Sequence, residues 1–269
     1  MTLISETFNQ LKQKGEGALI PYLTVGYPRL KTTTRFVGAL IEGGADIIEL
    51  GIPFSDPIAD GPTIQNAVTR SLEGGARPLD ALKVAASIRD KYETPVVLMT
   101  YYNPIFRVGL PRFVNLAKHS GISGLIVPDL PVEESEEYKK QCVSAKIDTI
   151  FLASPSTSPS RLKGILTQTT GYLYLISLYG VTGVRPTLPQ NALTLIKEYR
   201  NAIAGSVPLA VGFGISKPEH VKEIIHAGAD GAIVGSAFVK TIEMNSRNIP
   251  RAVSRLKSFA RAMKKATVR

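Results

Sequence analysis

The feature that most constrains the fold is a series of short, continuously apolar segments that recur along the chain with helical patterns between them. Three of these segments echo one another: EGGADIIELG at 42–51, HSGISGLIVP at 119–128 and HAGADGAIVG at 226–235. Each ends a helix with glycine, turns through small polar residues and enters a strand. Because these strands are apolar throughout rather than alternating, we expect them to be buried on both faces and to pair in parallel.

Eight such strands are predicted, with helices between them. The strands lie near 18–25, 46–52, 95–101, 124–130, 148–153, 172–177, 208–213 and 231–236. Helical patterns lie near 30–43, 78–91, 110–119, 133–144, 159–168, 188–201, 218–226 and 249–266, with extra short helices at 3–14, 63–73 and 236–243. This pattern is typical of an α/β fold, a single-domain (β/α)8 TIM barrel spanning 1–269. A doubly wound open sheet is the alternative, but no G-x-G-x-x-G follows the first strand.

The net charge of +10 raises the question of nucleic-acid binding. Residues 247–269 hold eight Lys or Arg and no Asp or Glu, so the rest of the chain carries only +2. Ala252, Leu256, Phe259 and Met263 recur there at helical spacing. This spacing predicts a final amphipathic helix that is docked on the domain and has a solvated basic face. RNA or an acidic membrane is the alternative partner. No aromatic stacking motif accompanies the charge, which weakens the case for nucleic acid, and neither partner is predicted.

Two features bear on the compartment. The apolar runs are too short to span a membrane, and MTLISETFNQLKQKG lacks the apolar core of a secretory signal. The single cysteine, Cys142, precludes an internal disulfide and fits a reducing environment. A cytoplasmic location is therefore predicted.

In a barrel of this kind the chemistry lies where strands end, so the strand ends supply the candidate residues. Glu49 stands inside the apolar second strand, and Asp56 and Asp60 follow on a loop stiffened by prolines. Desolvation raises the pKa of such a glutamate, so that it can both donate and accept a proton near neutrality. Catalysis is therefore the favoured interpretation of Glu49, and a strand glutamate hydrogen-bonded inside the barrel is the alternative.

The other acids carry weaker signals. Asp60 precedes a glycine, a common pattern in turns, so spacing alone does not make it catalytic. Asp56 is interpreted as a structural brace of its loop. Asp129, in VPDLP, is interpreted as a brace of the fourth strand end or a cap in a turn, and not as a catalytic residue.

Three loops indicate a phosphate site. Their residues are Gly212, Phe213 and Gly214 after the seventh strand, Gly235 and Ser236 after the eighth, and Gly183 after the sixth. Backbone N–H groups at the start of a helix bind anions, and loops after strands seven and eight often hold phosphate in such barrels. Turn chemistry explains any one of these glycines, but the agreement of three loops favours phosphate binding.

The residue types that are missing from the strand ends also limit the chemistry. No lysine lies in a strand or directly at its end, which argues against a Schiff base. His119, His220 and His226 all fall in helical patterns outside the barrel, and nothing has zinc-type spacing. A carboxylate-only metal site stays open. Carboxylates and tyrosines remain, which perform acid–base chemistry, and neither a metal nor a cofactor is predicted.

Seven strings resemble the α subunit of tryptophan synthase. They are PYLTVGYP (21–28), ELGIPFSDPIADGPTIQ (49–65), MTYYNPIF (99–106), VPDLPVEES (127–135), GVTGVRP (180–186), GFGIS (212–216) and GAIVGSAFVK (231–240). They cover nearly the whole chain in order. The string at 49–65 is very specific to that family, whereas GFGIS and GSA are shared by related phosphate-binding barrels.

The resemblance implies retro-aldol cleavage of indole-3-glycerol phosphate to indole and glyceraldehyde 3-phosphate. In the family the α subunit needs no cofactor, and the indole passes to a pyridoxal-phosphate β subunit in an α2β2-type complex. The resemblance assigns Glu49 as the acid at indole C3 and as the base at the glycerol hydroxyl, and Asp60 as the acceptor of the indole N–H. A sugar-phosphate isomerase and a non-catalytic, partner-activating scaffold are the rival functions.

The resemblance also implies the substrate contacts. Tyr22, Ile64, Leu98, Tyr101 and Ile126 are expected to wall the indole pocket, Tyr174 to lie near the substrate, and Thr182 to reach Asp60 from a mobile loop. The predicted phosphate residues match the phosphate cup of the family. Tyr22 stands where phenylalanine is common, and Leu178 replaces an arginine found in some members. Loops 53–62, 100–106 and 178–189 are candidates for contact with the β subunit.

Overall fold

A computed structural model of the chain describes residues 1–176, 188 and 191–269. The strands in these ranges are β1 (Ala18–Thr24), β2 (Ile48–Gly51), β3 (Val96–Met99), β4 (Ile122–Ile126), β5 (Asp148–Ile150), β6 (Leu152–Ala153), β7 (Leu173–Ile176), β8 (Leu209–Gly212) and β9 (Gly231–Val234). The helices are α1 (Leu3–Gln13), α2 (Leu30–Glu42), α3 (Pro62–Glu73), α4 (Asp80–Arg89), α5 (Tyr102–Val108), α6 (Leu110–His119), α7 (Glu136–Ser144), α8 (Pro159–Gln168), α9 (Ala192–Ile203), α10 (Pro218–His226), α11 (Ser236–Met244) and α12 (Ile249–Lys265).

The strands form one sheet in the order β5-β4-β3-β2-β1-β9-β8-β7-β6, and each neighbouring pair is parallel. The two end strands, β5 and β6, are successive pieces of one predicted strand that is interrupted at Phe151. The order therefore closes on itself, which confirms the predicted (β/α)8 barrel and excludes the open sheet.

Two of the boundaries that differ from the predictions have a local physical cause. β4 ends at Ile126 rather than near 130, because Pro128 has no N–H for the ladder and a turn brings Leu130 N–H to the Val127 carbonyl (3.2 Å). The segment 100–106 was predicted as a loop, but it enters α5 at Tyr102. Pro104 lies in the first turn of this helix, where a proline is tolerated.

Side chains alternate between the barrel interior and the layer beneath the helices. The interior cluster includes Ile20 of β1, Ile47, Val97 of β3 and Ile126 of β4, together with Ile4, Phe8 and Leu11 of α1. Helix α1 therefore closes the amino end of the barrel. In β2, the same alternation packs Ile48 and Leu50 in the layer beneath the helices and turns Glu49 inward.

The predicted C-terminal helix is confirmed as α12. Ala252, Leu256 and Met263 are buried, and Phe259 packs against Phe238 with ring centroids 5.0 Å apart. In the ranges that the structure describes, no helix is both long and apolar enough to cross a membrane.

Candidate active site

Glu49 lies in β2 between two neighbouring strands of the barrel wall. Its Cα is paired with that of Tyr22 in β1 and that of Val97 in β3, and only 1% of the residue is exposed. Its Oε2 has no hydrogen-bond partner among the described residues. Burial, with a smaller contribution from the charge of Asp60, raises the pKa of Glu49 to about 8. Glu49 is therefore mainly protonated at neutral pH.

Asp60 lies in the loop between β2 and α3 and is 5% exposed. The Tyr101 hydroxyl donates a hydrogen bond to Asp60 Oδ2 (3.1 Å), and the N–H of Ala59 donates to the Tyr101 oxygen (3.0 Å). Burial raises the pKa of Asp60 to about 6, and the hydrogen bond from Tyr101 partly opposes this rise. Asp60 is therefore mainly ionised at neutral pH.

The two carboxyl groups thus differ in protonation at the same pH. Asp60 ionises first, and its negative charge then opposes the ionisation of Glu49. Such a pair supplies a proton donor and a fixed negative charge within one site, which is the division of roles that acid–base catalysis requires.

Tyr22 has the polar partner that its hydroxyl requires. The hydroxyl lies 3.3 Å from the Thr24 hydroxyl in a buried contact. A Cβ on Gly51 would come within 2.1 Å of the Tyr22 oxygen, so the ring lies directly over this glycine. A Cβ there would also lie 2.6 Å from two ring carbons, so glycine at position 51 is needed for an aromatic ring at position 22, with or without the hydroxyl.

The predicted apolar wall changes at one position. Ile64 and Ile126 are buried, Ile64 near Gly235 and Ile126 within the barrel interior. Leu98 instead belongs to the layer beneath the helices. The next residue, Met99, is partly buried and packs against both clusters, so the alternation along β3 favours Met99 over Leu98 as the residue that reaches the interior.

Two tyrosines of the β7 region face inward. Tyr174 is partly buried, and a Cβ on Gly212 would lie 2.7 Å from its ring, so the ring covers the end of β8. Tyr172 was not among the predicted site residues, although its position two residues before Tyr174 places it on the same face. Its buried hydroxyl has no partner among the described residues, and burial, followed by the charge of Glu49, raises its pKa.

The described phosphate-loop residues lie at the ends of β8 and β9. Gly214 has φ +72°, a value that favours glycine, and Gly235 is the N-cap residue of α11, which begins at Ser236. The first N–H groups of α11 have no acceptor within the helix and are suited to an anion. The side chain of Phe213 is buried beneath the helices, which leaves its backbone for a ligand.

The remaining predicted contacts lie in another part of the chain. Thr182, Gly183 and Leu178 fall outside the described residues, and so does nearly all of the loop 178–189. Their roles stay predictions. His220, predicted in the outer helical layer, is on α10 but buried, and its Nδ1 lies 3.4 Å from the N–H of Ser216 in the loop after β8.

Comparison with known proteins decides the family. The profile described as tryptophan synthase alpha chain matches residues 8–268. The chain belongs to the tryptophan synthase alpha chain family. The family predicted from the sequence is thereby confirmed.

Relatives in this family match nearly the whole chain. The tryptophan synthase alpha chain of Methanopyrus kandleri is 47% identical over 261 residues, which cover 97% of this chain and 93% of that protein. That of Arabidopsis thaliana is 42% identical over 265 residues, 98% of this chain and 95% of that protein. A structure of the tryptophan synthase α2β2 complex from Pyrococcus furiosus matches with a TM-score of 0.86 and 45% identity, over 93% of this chain and 98% of that one.

Proposed function

We propose that this chain cleaves indole-3-glycerol phosphate to indole and glyceraldehyde 3-phosphate as the α subunit of a tryptophan synthase. The observation that carries the proposal is the buried pair of Glu49 and Asp60, with pKa values of about 8 and about 6, in a barrel of this family. A sugar-phosphate isomerase would use a similar phosphate cup but would not require an apolar pocket of indole size.

Glu49 carries both proton transfers. Its protonated carboxyl group gives a proton to indole C3, which makes the indole a competent leaving group. The resulting carboxylate then takes the proton of the hydroxyl on the adjacent glycerol carbon. The bond between that carbon and C3 breaks, its electron pair returns to the indole ring, and the aldehyde forms. Glu49 ends protonated, as it began, so no external acid or base is consumed.

Asp60 stabilises the charge that this step creates. Protonation at C3 places positive charge on the indole nitrogen, and an ionised Asp60 that accepts the indole N–H stabilises it. The site is poorly exposed, since Asp60 is 5% and Glu49 1% exposed, so this interaction is stronger than it would be in water. Tyr101 holds the carboxylate through its hydroxyl.

The remaining substrate contacts follow the same arrangement. Tyr22, Ile64, Met99, Tyr101 and Ile126 form the proposed wall around the indole ring, with Tyr174 near the catalytic glutamate. The proposed phosphate contacts are Gly212, the Phe213 backbone, Gly214, Gly235 and Ser236, supported by the start of α11 beside them. Thr182 and Gly183 complete the proposal on the basis of the family pattern alone.

The proposed partner is a tryptophan synthase β subunit in an α2β2-type complex. Two large apolar side chains near the site are exposed: Ile58, in the Asp60 loop, is 80% exposed, and Phe106, on α5, is 73% exposed. Such side chains at the rim of an active site are suited to burial against another protein. We propose that the Asp60 loop and α5 both contact the β subunit and that its binding favours the closed form of the site. Cytoplasmic location remains part of the proposal, supported by the single, buried thiol of Cys142.

A single-turnover assay with indole-3-glycerol phosphate tests the proposal. Indole release, followed by absorbance, is expected from the wild-type chain, with faster turnover after a β subunit is added. An isomerase would release no indole. A scaffold without catalysis would release none alone, and Glu49→Gln would change nothing.

A further inference from the structure

Asp60 owes its position to Tyr101, a residue at an unusual place in the fold. Tyr101 is the N-cap residue of α5, where Ser, Thr, Asp and Asn normally accept a hydrogen bond from the first turn. The Tyr101 side chain makes no such bond. Its hydroxyl donates to Asp60 and accepts from the N–H of Ala59. The residue that would ordinarily cap α5 therefore serves the active-site loop.

The cap of α5 comes from another strand. Asp129, in the turn after β4, accepts a hydrogen bond through Oδ1 from the N–H of Tyr102, the first residue of α5 (2.9 Å). Pro104 has no N–H, so the first turn of this helix has one amide fewer to satisfy. With seven residues, α5 is too short to be stable by itself and depends on such end contacts.

We propose that Asp129 is a positioning residue for the catalytic carboxylate of Asp60. Asp129 fixes the start of α5, the start of α5 fixes Tyr101, and the Tyr101 hydroxyl holds Asp60. This inference rests on the proposed function, because it concerns the same reaction.

Tyr101 contacts both the loop that carries Asp60 and the helix that Asp129 caps. Tyr101 is 3% exposed, and Phe54, from the Asp60 loop, packs on its ring with centroids 5.4 Å apart. The Tyr101 ring thus lies between the loop that carries Asp60 and the helix that Asp129 caps. A shift at the start of α5 moves the hydroxyl relative to a carboxylate that it now meets at 3.1 Å.

The position of the Tyr101 hydroxyl also affects how activity depends on pH. The hydrogen bond from Tyr101 lowers the pKa of Asp60, so a misplaced Tyr101 raises it. Among the described residues, the other titratable groups that interact with Asp60 are Glu49 of β2, Tyr22 of β1 and Tyr174 of β7. The charge of Asp129 acts on Tyr101, where it contributes to raising the pKa of the hydroxyl. Burial raises the pKa of Tyr22, Tyr101 and Tyr174, so none of these tyrosines ionises near neutrality. A change in the acid limb of activity therefore reports on the carboxyl pair.

The test is a double-mutant cycle on the full chain, with indole-3-glycerol phosphate as substrate. Asp129→Ala is expected to lower kcat about 3- to 10-fold, the loss of one hydrogen bond to a charged group, and to move the acid limb of kcat/KM to higher pH. Asp129→Asn keeps an oxygen acceptor and is expected to stay within about twofold of wild type. In a Tyr101→Phe background, Asp129→Ala is expected to cause no further loss, because the hydroxyl is already absent.

Asp80→Ala is the matched control. Asp80 also accepts a backbone N–H, that of Arg77 (3.0 Å), but it belongs to α4, which supplies no site residue. We expect it to leave kcat and the acid limb unchanged even if stability falls. If Asp129→Ala does not fold, Asp129→Ser, whose shorter side chain cannot span the contact, takes its place.

The outcomes separate the two proposals. The inference is overturned if Asp129→Ala, or Asp129→Ser in its place, has the kcat and acid limb of wild type, or lowers kcat equally with and without the Tyr101 hydroxyl. A wild-type chain that releases no indole contradicts the proposed function itself.

Discussion

Asp46 and Asp230, at the amino end of the barrel, have charged and amide partners, in contrast to Glu49 at the carboxyl end. At the amino end, Asp46 accepts hydrogen bonds from the Leu19 N–H (2.8 Å) and from Lys264 Nζ (2.9 Å). Asp230 accepts from the Leu209 N–H and pairs with Arg200 and Arg269. At the carboxyl end, Glu49 is more deeply buried than either, and one of its oxygens has no partner among the described residues.

This difference corresponds to two roles of a buried acid, one structural and one catalytic. A buried acid that is paired with cations and amides holds its surroundings together. An acid left with a free oxygen destabilises the fold when it ionises, but it keeps a proton available for a substrate. Substitutions of Glu49 and Asp60 should therefore lower turnover by orders of magnitude, whereas loss of the cation that pairs with Asp46 should lower stability alone.

The largest effect is expected from Glu49→Gln. The amide neither donates to C3 as an acid nor accepts the glycerol proton, so kcat should fall by roughly 10³-fold or more, near the upper range for acid–base catalysis. Single-turnover indole release, with and without a β subunit, measures the loss. A Glu49→Gln protein with full activity would show that the acid lies elsewhere.

Asp60→Asn should have the next largest effect. The amide keeps an oxygen for Tyr101 but loses the charge that stabilises the indole nitrogen, so kcat is expected to fall by roughly 10²-fold. Asp90→Asn, at an exposed carboxylate at the end of α4, is the control and should match wild type. Equal rates for wild type, Asp60→Asn and Asp90→Asn would show that the charge of Asp60 has no part in the mechanism.

The same Glu49→Gln protein should be more stable than wild type in base. The pKa of Glu49 rises from its ordinary value of 4.5 in the unfolded chain to about 8 in the fold, so ionisation costs the native state free energy. The cost is absent below pH 4.5 and grows as pH rises to about 8. We expect a gain of up to about 5 kcal/mol at pH 9 in urea unfolding and almost none at pH 4. A difference in unfolding free energy that stays constant from pH 4 to 9 would mean that the pKa of Glu49 is not raised by folding.

At the amino end, Lys264→Met should reduce stability without affecting turnover. Lys264 pairs with Glu16 and Asp46 (2.9 Å each) and donates to the Gly17 carbonyl, so its loss leaves poorly exposed acids without their cation. We expect a loss of about 1–3 kcal/mol in urea unfolding with unchanged kcat. Its exposed neighbour supplies the control, since Lys265→Met should stay within about 0.5 kcal/mol. A large fall in kcat for Lys264→Met would contradict a purely structural role for Lys264 and its acidic partners.

The smallest effect is expected from Tyr22→Phe. The hydroxyl contacts Thr24 at 3.3 Å, at the long end of hydrogen-bond distances, and phenylalanine keeps the ring over Gly51. We expect kcat/KM within about threefold of wild type and a change in unfolding free energy below about 1 kcal/mol. A loss as large as that of Asp60→Asn would instead place the Tyr22 hydroxyl in the chemistry.

The sequence predicts the barrel well because its strands are unbroken apolar runs bounded by glycine, proline and polar turns. The same property hides the inward face of each strand. In VVLM at 96–99, no alternation distinguishes Leu98 from Met99, and only the register with β2 and β4 shows which one meets the interior. Glu49 is visible in the sequence because its charge interrupts the apolar run.

The periodicity of apolar residues in the sequence does not predict contacts between the segments that follow different strands. Helix α5 has only seven residues with a proline in its first turn, too short for helical periodicity to stand out. The contact between Asp129 and Tyr102 joins the ends of two different strands, so no local spacing encodes it. Asp129 was predicted to brace the fourth strand end or to cap a turn, and in the structure it accepts the N–H of Tyr102 at the start of α5.

The most direct test of the central claim is the pH profile of single-turnover indole release by the wild-type chain. With Asp60 ionised and Glu49 protonated, the rate should form a bell that falls below pH about 6 and above pH about 8. Asp60→Asn should lose the acid limb and move the basic limb to lower pH, because the charge of Asp60 contributes to the raised pKa of Glu49. A rate that stays level from pH 5 to 9, or that rises through pH 8, would contradict a reaction that begins with proton donation from Glu49.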